Sequence, residues 1–154
     1  MNVSIRRMTL EDVPIVHEID VLSFSLPWPE RSFHFELTEN PVSRGWVAEF
    51  GGRIAAMLVL WLIVDEAHIA TIATHPDFRR QGVGEQLMIA ALHAARMEGA
   101  TKAFLEVRAA NTGALELYKK YGFVVVGVRS QYYKDNNEDA ILMNLEELSG
   151  LEVV

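Results

Sequence analysis

IATIATHPDFRRQGVGEQLMIAALHAA, from Ile69 to Ala95, is the stretch on which the fold turns. Its opening, Ile69 to Thr74, is apolar and β-branched, suits a strand, and stops at His75-Pro76. A basic turn with two glycines follows (Arg79, Arg80, Gln81, Gly82, Val83, Gly84), then an unbroken helical stretch closing at Gly99. Strand, glycine turn and helix in this order set a row of main-chain N–H groups at a helix N-terminus. The first four such groups have no partner inside the helix, and the macrodipole adds about half a positive charge there. That combination receives phosphate or pyrophosphate. Gly82 and Gly84 lack Cβ, so phosphates can approach the main chain and positive φ is tolerated.

Two other phosphate loops do not fit. A P-loop needs Lys after its second glycine, and Glu85 stands there. A dinucleotide fingerprint needs three spaced glycines near the first strand of a βαβ unit, whereas here two lie in mid-chain. The pattern Arg79-x-x-Gly82-x-Gly84 is also compatible with a plain strand-to-helix turn carrying solvated arginines, so the rest of the chain has to decide.

The 154 residues suit one domain with a substantial core, assigned to residues 1–148, with a short tail over 149–154 expected to be disordered or packed at an edge. Cysteine is absent, which removes disulfides, thiolate metal ligands and a cysteine nucleophile together. Neither a metal-ligand spacing nor a Ser-His-Asp set stands out, and no metal is expected. The N-terminal residues lack the apolar core of a signal peptide, and the longest apolar run, Ile54 to Val64, is too short to span a bilayer. A cytoplasmic protein without membrane attachment is expected. The net charge of −7 argues against a nucleic-acid partner and mildly favours a basic protein or amine. Nothing points to oligomerisation, and a monomer is expected.

Around the central stretch, Val3 to Arg7 alternates as a half-buried strand. Thr9 and Asp12 have capping-box spacing, and Val13, Val16 and Val21 extend a helical stripe toward Phe24. Ser25-Leu26-Pro27-Trp28-Pro29 breaks that helix, and Pro29 suits the first position of a second one carrying Phe33 and Leu37. Leu26 and Trp28 either cap the core or wall a cleft. Trp46–Phe50 and Ile54–Ile63 flank the hairpin signal Gly51-Gly52, and the chain returns through His68 to Thr74, where Pro76 is expected to let the strand diverge from its neighbour. After the glycine turn, Leu87, Ala91 and Ala95 mark the buried helix face. Lys102–Arg108 reads as a strand with Leu105 and Val107 opposite Phe104, Glu106 and Arg108. Asn111 is a plausible N-cap for a helix ending at Gly122. Phe123–Val128 and Ala140–Leu145 are strands joined by a polar connection that Tyr132 and Tyr133 open.

The glycine turn resembles the coenzyme A pyrophosphate loop of the GNAT acetyltransferases, and the order strand, two helices, three strands, helix, strand, helix, two strands is theirs too. Leu105 to Asn111, Ala114 to Phe123, and Tyr132-Tyr133 followed by Glu138-Asp139-Ala140 are similar to the bacterial ribosomal-protein-alanine N-acetyltransferases. The visible departure is Asn137 where glycine is frequent, and Asn is the residue next best suited to positive φ. The resemblance implies an α/β fold (α+β in character): a mixed, mostly antiparallel seven-stranded sheet with about four helices on both faces, split where the third of the antiparallel strands and Lys102–Arg108 part.

It also implies a site. Acetyl-CoA would lie with its pyrophosphate on the N–H groups from Arg80 to Glu85, beside Arg79, with Gln81, Gly82, Val83 and Gly84 in the loop. Its pantetheine arm would pair with Ile72, Ala73 and Thr74, and Asn111 would hydrogen-bond it. Glu106 would be the base and Tyr118 the acid. An α-amine of pKa about 8 must lose a proton before attack, so Glu106 needs burial or a water relay, while a phenol of pKa about 10 nearly matches a departing thiol. Without the resemblance, Glu106 reads as a solvated carboxylate facing Arg108, and Tyr118 competes as a core aromatic. Leu26, Pro27 and Trp28 would wall the acceptor cleft opposite Tyr132 and Tyr133. His75 reads as a turn residue. The expected reaction is direct acetyl transfer to a protein N-terminal amine, that of an alanine-starting ribosomal protein above all. The rivals are a small-amine acetyltransferase and a non-catalytic acyl-CoA-binding regulator.

Overall fold

The structure is a computed structural model describing residues 2–151. The elements run β1 (Ser4–Arg7), α1 (Val13–Ser23), α2 (Glu30–Thr38), β2 (Ser43–Phe50), β3 (Arg53–Ile63), β4 (Glu66–Thr74), α3 (Val83–Met97), β5 (Lys102–Arg108), α4 (Thr112–Lys120), β6 (Val124–Arg129) and β7 (Ala140–Leu145). They build one seven-stranded sheet in the order β1-β2-β3-β4-β5-β7-β6. Every pairing is antiparallel except β4 with β5. The expected mixed α/β architecture is the one observed.

The exceptional pair defines the molecule. β4 and β5 meet over Glu66–His68 and Lys102–Phe104 alone, and beyond His68 they part. Sequence reasoning assigned the divergence to Pro76, but it begins earlier. The register of β3 against β4 slips between Thr71 and Ile69, so Ala70 is an extra residue, a bulge that bends β4 away. A second bulge lies across the gap, where Val126 of β6 falls out of register with β7. Both bulged residues line the same cavity.

Helices cover the sheet unevenly. α3 buries Leu87, Met88, Ala91, Leu92 and Ala95 against Leu58, Leu60, Leu105 and Met143, and Tyr118 of α4 joins the same cluster. Each fully buried Leu or Met there contributes about 1.5–3 kcal/mol of transfer free energy. On the opposite face, α1 and α2 pack Val13, Val16, Ile19 and Phe33 on Val47, Met57 and Val59. The α1 stripe therefore runs through Ile19 and Asp20, and the expected Val21 is 51% exposed. Pro29 caps α2 one residue before its first turn. Leu148–Gly150 forms a 3-10 turn with Leu148 buried, and Leu151 packs on the core. The rest of the expected tail, 152–154, lies outside the described residues. No helix among the described residues is long and apolar enough to cross a membrane.

Candidate active site

Three cavities follow one another along the gap that β4 and β5 open. The first, about 330 Å3, sits on the N-terminus of α3 between Thr74, Arg79, Arg80, Gly82 and Gly84, and reaches Ala114 of α4. The second, about 250 Å3, also touches Ala114 and runs between Ile72 and Val107 past Asn111 and Tyr118. The third, about 570 Å3, shares Trp28, Ile69, Ala70, Leu105, Glu106 and Tyr133 with the second. Glu106 thus stands where the two meet.

At the first cavity, Gly82 is the N-cap of α3 with φ +77°, and a Cβ on it would meet open space. Its glycine is required by conformation. Gly84 is required by packing: a Cβ there would lie 2.8 Å from Thr74 Oγ1. Sequence reasoning gave both glycines to phosphate approach, whereas the second lets the helix seat against the end of β4. The arginines divide similarly. Arg79 donates to the Thr74 carbonyl at 3.0 Å and to Ser23 Oγ at 3.2 Å, tying the turn to α1. Arg80 is exposed, with φ +62°. The Gln81 amide reaches the Asp77 carbonyl at 3.5 Å, and Val83 is buried in the core. The Glu85 side chain turns away to α4, where Tyr121 and Lys120 hold its carboxyl below the usual range by donating hydrogen bonds to it. An acidic residue in the first turn is thereby neutralised, leaving the helix N-terminus able to accept an anion.

In the second cavity the ladder selects which main-chain groups are free. His75 N–H donates to the Ala55 carbonyl at 2.8 Å, and antiparallel pairs alternate between bonded and unbonded. Ala73 therefore bonds to β3, while the N–H and C=O groups of Ile72 and the N–H of Thr74 face the gap, the Thr74 carbonyl being taken by Arg79. Ala73 also packs with the α1 and α2 side of the core. Asn111 accepts the Ala114 N–H at 3.2 Å, the N-cap role expected of it, and lines the cavity. Tyr118 is buried beside Phe123, and burial pushes its phenol up to about 12. Burial moves the phenol away from the match to a thiol expected of a free phenol, and the hydroxyl keeps its proton over the whole neutral range. Glu106 is open to solvent: its side chain is 34% accessible, with Arg129 3.8 Å away. Of the two routes to a competent base, burial is not offered. Arg108, its expected partner, points elsewhere.

The acceptor end is assembled from two loops. Trp28 lines the second and third cavities and Leu26 lines the second, but Pro27 lines neither. The Trp28 N–H is held at 2.7 Å by Asp20, a carboxylate 1% exposed in the middle of α1. Opposite, Tyr133 lines both cavities under the Arg108 guanidinium, 3.9 Å from its ring, and Tyr132 packs edge-on against it at 5.2 Å. Burial raises the Tyr133 phenol, with the Glu106 charge acting in the same direction. Gln131 (φ 51°) and Asn137 (φ 57°) turn the connection at its two ends. Asn137 adopts the conformation expected of a glycine substitute. His75 caps its turn by accepting the Asp77 N–H, and His68 stacks on Phe104 at 4.8 Å, that pair lining the third cavity. Among the described residues no group of three His, Asp or Glu gathers as a metal site.

Sequence reasoning missed Asp20, Arg129 and Asp135. Asp20 carried a signal, because it stands four residues after Val16 on the apolar stripe of α1, where a carboxylate must have a partner. Arg129 and Asp135 carried none, since their partners lie on other elements.

The chain matches the model of the Acetyltransferase (GNAT) family over residues 13–123. A Bacillus subtilis protein provisionally named a ribosomal protein bS18-alanine N-acetyltransferase is 41% identical over 140 residues, covering 91% of this chain and 93% of that one. The ribosomal protein bS18-alanine N-acetyltransferase of Escherichia coli K12 is 32% identical over 153 residues, covering 92% and 96%. The crystal structure of the Escherichia coli ribosomal-protein-S18-alanine N-acetyltransferase superposes with a TM-score of 0.86, covering 94% of this chain and 93% of that chain.

Proposed function

The chain belongs to the acetyltransferase (GNAT) family, and on that premise we propose that it acetylates the N-terminal α-amine of a protein, an alanine-starting ribosomal protein being the substrate its relatives indicate. The observation that carries this reading is the line of three cavities, the second and third meeting at Glu106, with a helix N-terminus at one end and a two-loop slot at the other.

The first cavity fits coenzyme A. Its floor is the N-terminus of a 15-residue helix, its loop has no Cβ at Gly82, and its acidic neighbour is already paired. Bound acetyl-CoA supplies an activated acetyl thioester. The outward N–H and C=O groups of Ile72 and the N–H of Thr74 hold its arm as an added strand and set the carbonyl. Glu106, through ordered water, takes the proton that the α-ammonium loses. The amine nitrogen bonds to the acetyl carbon and sheds its second proton to solvent, the carbon–sulfur bond breaks, and Tyr118 gives its proton to the departing sulfur and is reprotonated from solvent. Since burial favours the neutral phenol, that proton is present at every pH where the amine can react.

Peptides differing at their first residue test the substrate. An alanine-first peptide should exceed a methionine-first peptide in kcat/KM by roughly tenfold to a few hundredfold, because a bulky side chain meets Leu26 and Trp28. Trp28→Ala should narrow that ratio. Free polyamines outcompeting every peptide would replace this reading by small-amine acetylation.

A further inference from the structure

The two loops that wall the acceptor slot are joined to each other. Ser25, in the loop after α1, donates its hydroxyl to Asp135, in the connection between β6 and β7, across 110 residues of chain. Asp135 is itself gripped by Arg108: one guanidinium nitrogen donates to each carboxylate oxygen, both at 3.1 Å. The same guanidinium reaches Glu138 at 3.2 Å and lies over the Tyr133 ring. Glu138 in turn accepts the Ala110 N–H at 2.7 Å, which fixes the start of the turn leading into α4. The Ser25 hydroxyl first and the Arg108 charge second hold the Asp135 carboxyl below its usual range, so it is ionised at any working pH.

The position of this cluster is informative. Phe24 and Leu26, on either side of Ser25, line the middle cavity, and so do Arg108 and Tyr133 on the other side. A contact between Ser25 and Asp135 therefore spans the rim of the cavity in which the acetyl group is handed over. A bidentate, stacked arginine is a rigid mount for such a contact, because its planar fork fixes direction as well as distance.

We propose that Ser25, Asp135 and Arg108 form a clasp that closes this rim, making Arg108 and Asp135 positioning residues that restrict the acceptor to end-on entry through the larger cavity. With the rim closed, an amine at a free chain terminus can thread to Glu106, and a lysine in mid-chain, flanked by backbone on both sides, is held out. The clasp deepens the N-terminal acetylation reading and rests on it for its effect on selectivity.

The test compares wild type with Asp135→Ala, Asp135→Asn and Ser25→Ala, using an alanine-first peptide, an N-terminally blocked peptide with one internal lysine, and amide hydrogen exchange over residues 24–28 and 131–138. Opening the clasp should raise the KM for the alanine-first peptide about tenfold while kcat and the KM for acetyl-CoA stay within about twofold. Acetylation of the blocked lysine peptide should rise from background to a measurable rate. Exchange should quicken in both loops together, with Asp135→Asn intermediate because its amide oxygen can still accept from Ser25. Should Asp135→Ala fail to fold, Ser25→Ala opens the same contact and leaves the Arg108 cluster intact. Unchanged exchange in 24–28, or an unchanged peptide KM in both alanine variants, overturns the clasp. A wild type inert toward every peptide would instead sink the functional reading, and the exchange measurement would still decide whether the loops are coupled.

Discussion

The two ends of the cavity line are built in opposite ways. The coenzyme end consists of residues close together in the chain, Thr74 through Glu85, and its shape is fixed by backbone: a left-handed Gly82, a helix start, and Gly84 pressed on Thr74. The acceptor end gathers α1, β5, β6 and two loops, and its shape is fixed by side chains, Asp20 holding Trp28 and Arg108 lying over Tyr133. A pyrophosphate is the same in every turnover, so a rigid main-chain cradle suits it. An acceptor must be chosen among many peptides, and side-chain contacts can be altered one at a time without disturbing the coenzyme groove. Damage at one end should appear in coenzyme affinity, at the other in selectivity, and at the junction in the rate itself.

The junction should give the largest effect. Glu106→Gln should lower kcat/KM by about 10²- to 10³-fold near neutral pH. The loss should be greatest at low pH, where the amine is mostly protonated, and should shrink as pH passes the amine pKa. Tyr118→Phe should lower kcat by about 10- to 10²-fold with little change in peptide KM, because the proton is delivered in the transition state. Tyr118 also marks stability. Its folded pKa, about 12, lies above the ordinary 10, so its contribution is complete below pH 10 and is lost as pH rises from 10 to 12. Alkaline unfolding of Tyr118→Phe should lack that component. A variant of either residue that keeps near-native turnover would remove its role.

The next effect belongs to the coenzyme end. Gly84→Ala forces a Cβ to 2.8 Å from Thr74 Oγ1, and threonine is stiff at χ1, so overpacking should cost about 1–3 kcal/mol. The melting temperature should fall and the KM for acetyl-CoA should rise, with the alanine-to-methionine peptide ratio unchanged. Adding Thr74→Ala removes the clashing oxygen and should restore part of the stability. A double variant no more stable than Gly84→Ala would place the strain elsewhere. Gly82→Ala, in open space but at φ +77°, should cost about 1–2 kcal/mol by conformation alone.

The same contrast explains what could be read from the sequence. The strands, the Gly51-Gly52 hairpin, α3 with its glycine turn, and the Asn111 cap were legible because period, turn chemistry and capping act over a few neighbouring residues. The divergence of β4 from β5 was foreseen, but its cause was misplaced: a bulge at Ala70 leaves no residue signature, whereas Pro76 is conspicuous. Glu106 was identified as a candidate base through resemblance, yet its setting was not, since Arg108 sits two residues away in sequence and turns to Asp135 in space. Pro27 was named with its neighbours because the loop was read as a unit, and its side chain lines neither acceptor cavity. Side-chain pairs between distant elements have no sequence spacing to recognise.

Asp20 should give the smallest and most discriminating effect. Its carboxylate is buried and accepts the Trp28 N–H at 2.7 Å, while Trp28 packs on Phe33 at 5.2 Å. Burial raises its pKa above the ordinary value and the Trp28 N–H opposes that rise without cancelling it. A raised carboxyl pKa means that folding disfavours the charge: its stabilising contribution is present below the unfolded pKa, near 3.8, and is lost as pH rises through the folded value. Asp20→Asn keeps an oxygen for the Trp28 N–H and discards the charge. Its melting temperature at neutral pH should match or exceed that of wild type, with the gap closing toward pH 4. Its ratio of specificity constants for alanine-first over methionine-first peptides should stay within about twofold. Asp20→Ala leaves the N–H without a partner at a cost of about 1–3 kcal/mol, frees the loop, and should lower that ratio about three- to tenfold with the KM for acetyl-CoA unchanged. If Asn behaves like Ala, the charge and not the hydrogen bond holds Trp28, and Asp20 acts on the incoming ammonium instead of on the wall beside it.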